Sequence, residues 1–523
     1  MSSQDNTDCR FVQTETDTHL QYVSLLQEAC NSSNHQRKLE SLARCASYIT
    51  SSDPSSILDL LRHETCVREL VKVIDLAIVP SFQKKEYASY EKDDFKKYPE
   101  VTRHVLSIIH HILHILANSK RDGANSLTDN ATTEIISSMN ETEQQKIARN
   151  ISAFLPKLIL LISAHSSCPL WSSVELETLS SQVLDRLLVY FSCESVDELL
   201  SIEIHPWDAS VGTVKGSKVM LLNAVLSHCW KPLSKNTWHQ NPFLSHSFFW
   251  IILQMKLPHL SDHIEQVMSV ALNFLEDHQA VNKIRGISCL HHLIKNTSSE
   301  EMRWLNRAEV IYEQLKNQMY SKEAAVIEFL FPCLFDVLKI LESPPELDRH
   351  QYVLDTLLRN TDSENLLILR KIYVSNLTTL VNQVGIHSVR HLKTLIKVIS
   401  NYLEVDDGLG EVSARPQTLK LLECIIRVAW PRVQHHADVI LKMCLNFIAD
   451  VICTKPDSDS SHDVRYELTA ETVRCLVLLS EVCPDVLPCV KAGLEAGINS
   501  VGSDNRMFDI LKTQLASIST VLV

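Results

Sequence analysis

Histidine pairs four residues apart are the groups in this chain best spaced for metal chemistry. His110 and His114 form one pair, His259 and His263 another. On a helix that spacing turns both imidazoles to one face, as in zinc hydrolases of the His-Glu-x-x-His type. Those sites also need a glutamate directly after the first histidine, as general base, and a third ligand. Here His111 and Leu260 stand in the glutamate position, and no third ligand follows at a suitable spacing. The adjacent pairs His291-His292 and His435-His436 diverge by about 100° around a helix, which suits them less. Cys444, Cys453, Cys475, Cys483 and Cys489 crowd the C-terminal end but lie on apolar runs. Zinc favours thiolates paired at short spacing, and none of the fifteen cysteines forms a Cys-x-x-Cys pair. Free thiols on apolar helix faces pack as small hydrophobes, which points to a reducing compartment rather than a disulfide framework.

Nucleotide and acyl-transfer signatures are missing as well. The sequence has no GxxxxGK[ST], GxGxxG or GxSxG. Gly408-Leu409-Gly410 is the closest glycine pair, and no strand pattern precedes it. The expectation is no catalytic residue, no metal and no cofactor.

The elements that carry these residues read as helices almost throughout. Ten glycines in 523 residues leave little material for hairpin turns, phosphate-cradling loops or bulges. Between Ser388 and Leu403, the residues Val389, Leu392, Leu395, Ile396, Ile399 and Leu403 recur at spacings of three and four. Arg390, Lys393, Lys397 and Asn401 fill the other face. Leu419, Leu422, Ile425, Ile426 and Ala429 repeat the theme until Trp430-Pro431 ends the run. Similar stretches recur along the chain and predict helical hairpins. A hairpin cannot bury its apolar faces alone, so stacking predicts an all-α solenoid of HEAT or armadillo-like repeats. The expected organisation is a disordered terminus over 1–16, N-terminal helical repeats over 17–200 and a C-terminal repeat region over 217–523. Loops are expected at 83–97, 118–133, 201–216, 406–416 and 454–463. The segment from Trp230 to Trp238 puts two amphipathic rings in a connection, where they wedge neighbouring helices or face a partner.

A net charge of −13 disfavours nucleic acid and anionic membranes as partners, since both are held by Lys and Arg. The polar start lacks a signal-peptide core, and no apolar run is expected to approach the ~20 residues that span a bilayer. Val105–Leu116 is the longest candidate, broken by three histidines.

Four stretches carry a family resemblance. They are Trp230-Lys231-Pro232 through Asn241-Pro242, and Asn282-Lys283-Ile284-Arg285-Gly286 with Cys289 to His292, Asn306-Arg307-Ala308 and Leu315 to Tyr320. Then come Leu369 to Tyr373 through Gly385-Ile386, and Val389 to Lys393 with Tyr402 to Val405, closing on Trp430-Pro431-Arg432-Val433. In this order and spacing they resemble the Tel-two-interacting protein two family, over about Trp230 to Val433. Residues 1 to about 200 contribute little to the resemblance. It implies a non-catalytic α-solenoid subunit of the Triple-T co-chaperone complex, beside Tel-two and Tel-two-interacting protein one. It further implies work with the ninety-kilodalton heat-shock chaperone and its Rvb-containing adaptor. The implied clients are phosphatidylinositol-kinase-related kinases (PIKKs) of DNA-damage and growth signalling, and the implied location is the cytoplasm, with the nucleus open. On this reading the C-terminal half binds Tel-two-interacting protein one through Arg390, His391, Tyr402, Trp430 and Arg432. The competing reading is a helical-repeat adaptor for nuclear transport or for a phosphatase complex.

Overall fold

The structure is a computed structural model that describes residues 20–82, 90–121, 141–205, 218–405, 407, 413–453, 459–500 and 512–513. The expected disordered terminus, 1–16, lies outside the described residues, as does most of the loops expected at 118–133, 201–216 and 406–416. By internal packing the chain divides into two compact units, Met1–Asn273 and Phe274–Val523. The boundary expected at 201–216 thus falls inside the first unit. Its flanks are joined locally: Glu203–Ile204 pairs antiparallel with Val219–Met220, and the Leu221 N–H donates to the Ile202 carbonyl at 2.8 Å.

The first unit contains α1 (His35–Ser51), α2 (Glu64–Ala77), α3 (Tyr98–Arg121), α4 (Glu141–Ala164), α5 (Val174–Phe191), α6 (Leu221–Trp230) and α7 (Pro242–Gln254). Helices α1, α3 and α5 pack side by side in one layer, and α2, α4, α6 and α7 form the other. Helix starts are set by local chemistry: the Asn34 side chain accepts from the Gln36 N–H, and that of Ser173 from the Leu176 N–H. Buried polar atoms find carbonyl partners. Asn150 donates to Leu61 O at 2.7 Å, and Trp171 Nε1 to Ala164 O at 2.8 Å.

Helix α4 corrects the membrane expectation. Gln145–Ala164 is long and apolar enough to cross a bilayer, and most of it is buried inside this unit. It is a core helix, apolar on nearly every side because neighbours surround it. The Trp230–Trp238 connection also packs inward. Trp238 is buried and stacks on His239 with ring centroids 3.6 Å apart, while Trp230 meets Phe248 edge-on at 5.9 Å.

The second unit contains α8 (Ala280–Lys295), α9 (Arg307–Asn317), α10 (Ala324–Leu341), α11 (Asp348–Ser363), α12 (Leu367–Val384), α13 (Leu392–Glu404), α14 (Arg415–Val428), α15 (Ala437–Cys453), α16 (Asp459–Val482) and α17 (Leu487–Ser500). Even-numbered helices α8 to α16 pack successively in one layer, and α11, α13, α15 and α17 in a second. Helix α9 packs on α10 and is tied to α11 by Arg349 and Glu309, 2.9 Å apart. Stacked antiparallel hairpins of this kind are the α-solenoid architecture of HEAT and armadillo-like repeats. Helix α13 buries Leu392, Leu395, Ile396, Ile399 and Leu403, the expected stripe except Val389, which lies half-buried in the preceding 3₁₀ turn. Helix α16 begins at Asp459, so the loop expected over 454–463 is shorter than its composition suggests. Its acidic, serine-rich residues suit a helix's first turn as well as a loop.

Candidate partner-binding edge

In an antiparallel stack, alternate turns lie on opposite edges. Helices α9, α11, α13 and α15 all start at one edge of the second unit, where α10, α12, α14 and α16 end. Hydrogen bonds between turns fix this edge. Arg303 Nη1 donates to Ile340 O at 3.4 Å, Gln351 Nε2 to His387 O at 3.3 Å, and Gln434 Nε2 to Val482 O at 3.3 Å.

A carboxylate network anchors its centre. Glu342, at the end of α10, accepts from the Arg349 and His350 N–H groups at 2.7 and 3.1 Å. It therefore caps the first turn of α11 from outside the helix. It also receives His350 Nδ1 at 2.8 Å and Arg349 Nη1 at 3.3 Å. Burial pushes the Glu342 pKa up, but His350 and the backbone donors outweigh it and hold the carboxyl below its usual value.

The turn after α12 depends on Gly385, whose φ is +62° and ψ −139°. Side chains rarely adopt that conformation, and it lets the chain leave α12 into a short 3₁₀ helix, Gly385–His391. Ser388 is buried there while Ile386, His387 and Arg390 are exposed. The turn after α14 is set by proline. The Ala429 N–H closes on Ile425 O at 2.8 Å, and Pro431 opens a one-turn helix, Trp430–Val433. Val433 is buried and pins the turn, leaving Trp430, Pro431, Arg432 and His435 outside. The 385–391 turn packs on α14, whose end carries the second turn.

Four of the five expected contact residues share this edge: Arg390, His391, Trp430 and Arg432. Trp430 is 58% exposed. The Arg390 and Arg432 guanidinium groups have no hydrogen bond or ion pair among the described residues, unlike those of Arg349, Arg359, Arg427 and Arg474. His391 is half-buried and its Nε2 donates to Gln351 Oε1 at 2.8 Å. Burial lowers its pKa, Asp355 acts in the opposite direction, and Arg390 lowers it further.

Tyr402 sits apart from them, in the last turn of α13 and so toward the opposite edge. It is a core residue: its hydroxyl donates to Thr361 O at 2.7 Å, and the Arg370 guanidinium lies 4.8 Å from its ring centre. Burial raises its pKa, and the ring offers no surface to a partner. Sequence reasoning missed Trp304, 88% exposed at the end of the short helix Ser299–Trp304 before α9, and Ile386, 48% exposed. An apolar residue at a hairpin turn is the signal that finds them.

The histidine pairs do other work. His263 Nε2 lies 2.7 Å from Asn223 Oδ1. The His110 and His114 rings stack at 6.3 Å, and burial lowers both pKa values. Among the described residues no group of three or more His, Cys, Asp or Glu side chains is arranged to hold a metal ion.

Residues 158–406 match the model of the Tti2 family. Over this part the chain is similar to the Tti2 family. The Tti2 match begins in a stretch that sequence reading left unaligned, and it ends before Trp430–Val433. Human TELO2-interacting protein 2 is 34% identical over 324 residues, which cover 60% of this chain and 61% of the human protein. The rat protein of the same name is 31% identical over 332 residues, 62% of each chain. The chain thus spans less than two thirds of the length of these relatives. Among solved structures, Kap121p bound to Pho4p aligns over 95% of this chain and 45% of its own, at 13% identity and a TM-score of 0.46.

Proposed function

We propose that this chain is a non-catalytic scaffold subunit of the Triple-T complex, binding Tel-two-interacting protein one and Tel-two. In that assembly it assists the ninety-kilodalton heat-shock chaperone and its Rvb-containing adaptor, and so supports the maturation and stability of PIKKs. The Tti2 match over residues 158–406 carries this reading. The names of the human and rat relatives point the same way for Tel-two. A stacked-helix surface with exposed turns supports a binding role, because it offers contact area without catalytic groups. The work takes place in the cytoplasm, with the nucleus as a second location. Affinity purification of the tagged full chain from native cytosol, followed by mass spectrometry, is the test. Recovery of Tel-two and Tel-two-interacting protein one is expected. Recovery of transport receptors or phosphatase subunits in their place refutes the reading.

A further inference from the structure

The binding edge is chemically uneven. The chain as a whole carries −13, yet residues 385–403 and 424–437 contain no Asp or Glu. These are the two turns that meet on α14, with all of α13 but its last residue and the last turn of α14. Arg390, Lys393 and Arg432 project there, exposed and without a carboxylate partner among the described residues. Other cations of the same segments are already neutralised: Lys397 by Asp362 at 2.9 Å and Arg427 by Glu423 at 2.6 Å. Trp430 and Ile386 supply exposed apolar surface between the free cations. Helices α13 and α15 direct their N-termini to this edge, which adds partial positive charge. Acidic side chains also reach this edge: Asp355 acts on His391, Asp438 is exposed in the first turn of α15, and Glu481 and Asp485 are exposed on either side of Val482, whose carbonyl Gln434 meets.

Unpaired arginines beside an exposed tryptophan are the residue types enriched at interface centres. Their sign, opposite to that of the chain, selects a partner of the other charge. We propose that the corner formed by Ile386, Arg390, Lys393, Trp430 and Arg432 docks an acidic segment of Tel-two-interacting protein one, with an apolar side chain of that segment against Trp430. This inference rests on the scaffold reading above and adds to it the position and the charge of the contact.

The test places a photo-crosslinking benzoylphenylalanine at His435, and in a separate protein at Tyr320, which is 64% exposed at the end of the hairpin that begins with α9. Each full-length chain is irradiated in complex with Tel-two-interacting protein one, and the linked peptides are mapped. In parallel, capture of the same partner is measured for wild type, R390E/R432E and R390A/R432A at about 0.15 M salt and above. All four altered side chains of these proteins are exposed, and thermal melts confirm folding. The proposal expects linkage from His435 to a stretch of net negative charge. It expects wild-type capture to weaken with salt, and roughly tenfold or greater loss for R390E/R432E, with a smaller loss for R390A/R432A. Linkage only from Tyr320, linkage to a neutral or basic stretch, or less than twofold loss in folded R390E/R432E overturns it while leaving the scaffold reading intact. Failure of the wild-type chain to capture the partner overturns both.

Discussion

Glu342 holds the start of α11, and its replacement by alanine is the sharpest stability test of the edge. The side chain receives two backbone N–H groups, the His350 ring and the Arg349 guanidinium. The His350 side chain is 2% exposed and that of Glu342 5%, so water cannot replace the lost acceptor at the ring without a rearrangement. Leaving a buried donor unpaired costs about 1–3 kcal/mol. With the ring and one helix-start N–H stranded, and Arg349 still held by Glu309, the expected loss is about 3–4 kcal/mol. Hydrogen exchange of the full chain, followed in peptides covering 342–358, reads this directly. Opening of α11 becomes roughly 100- to 1,000-fold more frequent, at about 1.4 kcal/mol per decade, while α2 and α4 in the first unit stay unchanged. Glu342→Gln keeps an acceptor and loses less. The network also predicts a pH dependence. The folded carboxyl titrates below its unfolded value, so its contribution is complete above the unfolded pKa and is lost as pH falls through the folded one. Exchange in Glu342→Ala within threefold of wild type would refute the capping argument.

Other substitutions separate packing from contact. Tyr402→Phe removes a buried 2.7 Å hydrogen bond and is expected to lower stability by about 1 kcal/mol, with partner capture unchanged in a quantitative pull-down. Gly385→Ala meets no atom within 4 Å but must adopt a positive φ, so chemical denaturation is expected to register a loss of about 1–3 kcal/mol. His165 in the first unit is driven down to about 4, by burial and then by His246. Its unfolded form takes up a proton first, so it contributes stability above about pH 6.5 that drains away toward pH 4, on the order of 3 kcal/mol in all. His165→Asn is expected to flatten the pH dependence of the urea midpoint over that window.

Much of the fold was legible because one signal repeats. The α13 stripe reads directly from Leu392, Leu395, Ile396 and Ile399, all buried. Scarce glycine excluded most alternatives to helix. Hairpin stacking then followed from the apolar face each helix has to cover. The turns were harder. Trp430-Pro431 was correctly read as a helix end, yet which neighbouring turn it meets depends on packing between α12 and α14, far apart in sequence. Tyr402 and Trp430 look alike as large aromatics near helix ends. Tyr402 falls on the buried stripe of α13, one turn from Val398 and Ile399, whereas Trp430 falls past the last turn of α14. Helix α4 escaped notice as an apolar span because Lys146, Arg149, Asn150 and Lys157 interrupt it in the sequence. Asn150 is satisfied by a carbonyl of the preceding hairpin, and Lys157 by Asp75 on α2.

Hydroxyl-radical footprinting of the chain, free and assembled with Tel-two-interacting protein one and Tel-two, addresses the binding edge most directly. Trp430 is exposed in the free chain and reacts readily, while buried Trp238 serves as the internal reference. The account predicts that oxidation of Trp430 falls several-fold on assembly, to a level close to that of Trp238. Equal oxidation of Trp430 in the free and assembled states would contradict it.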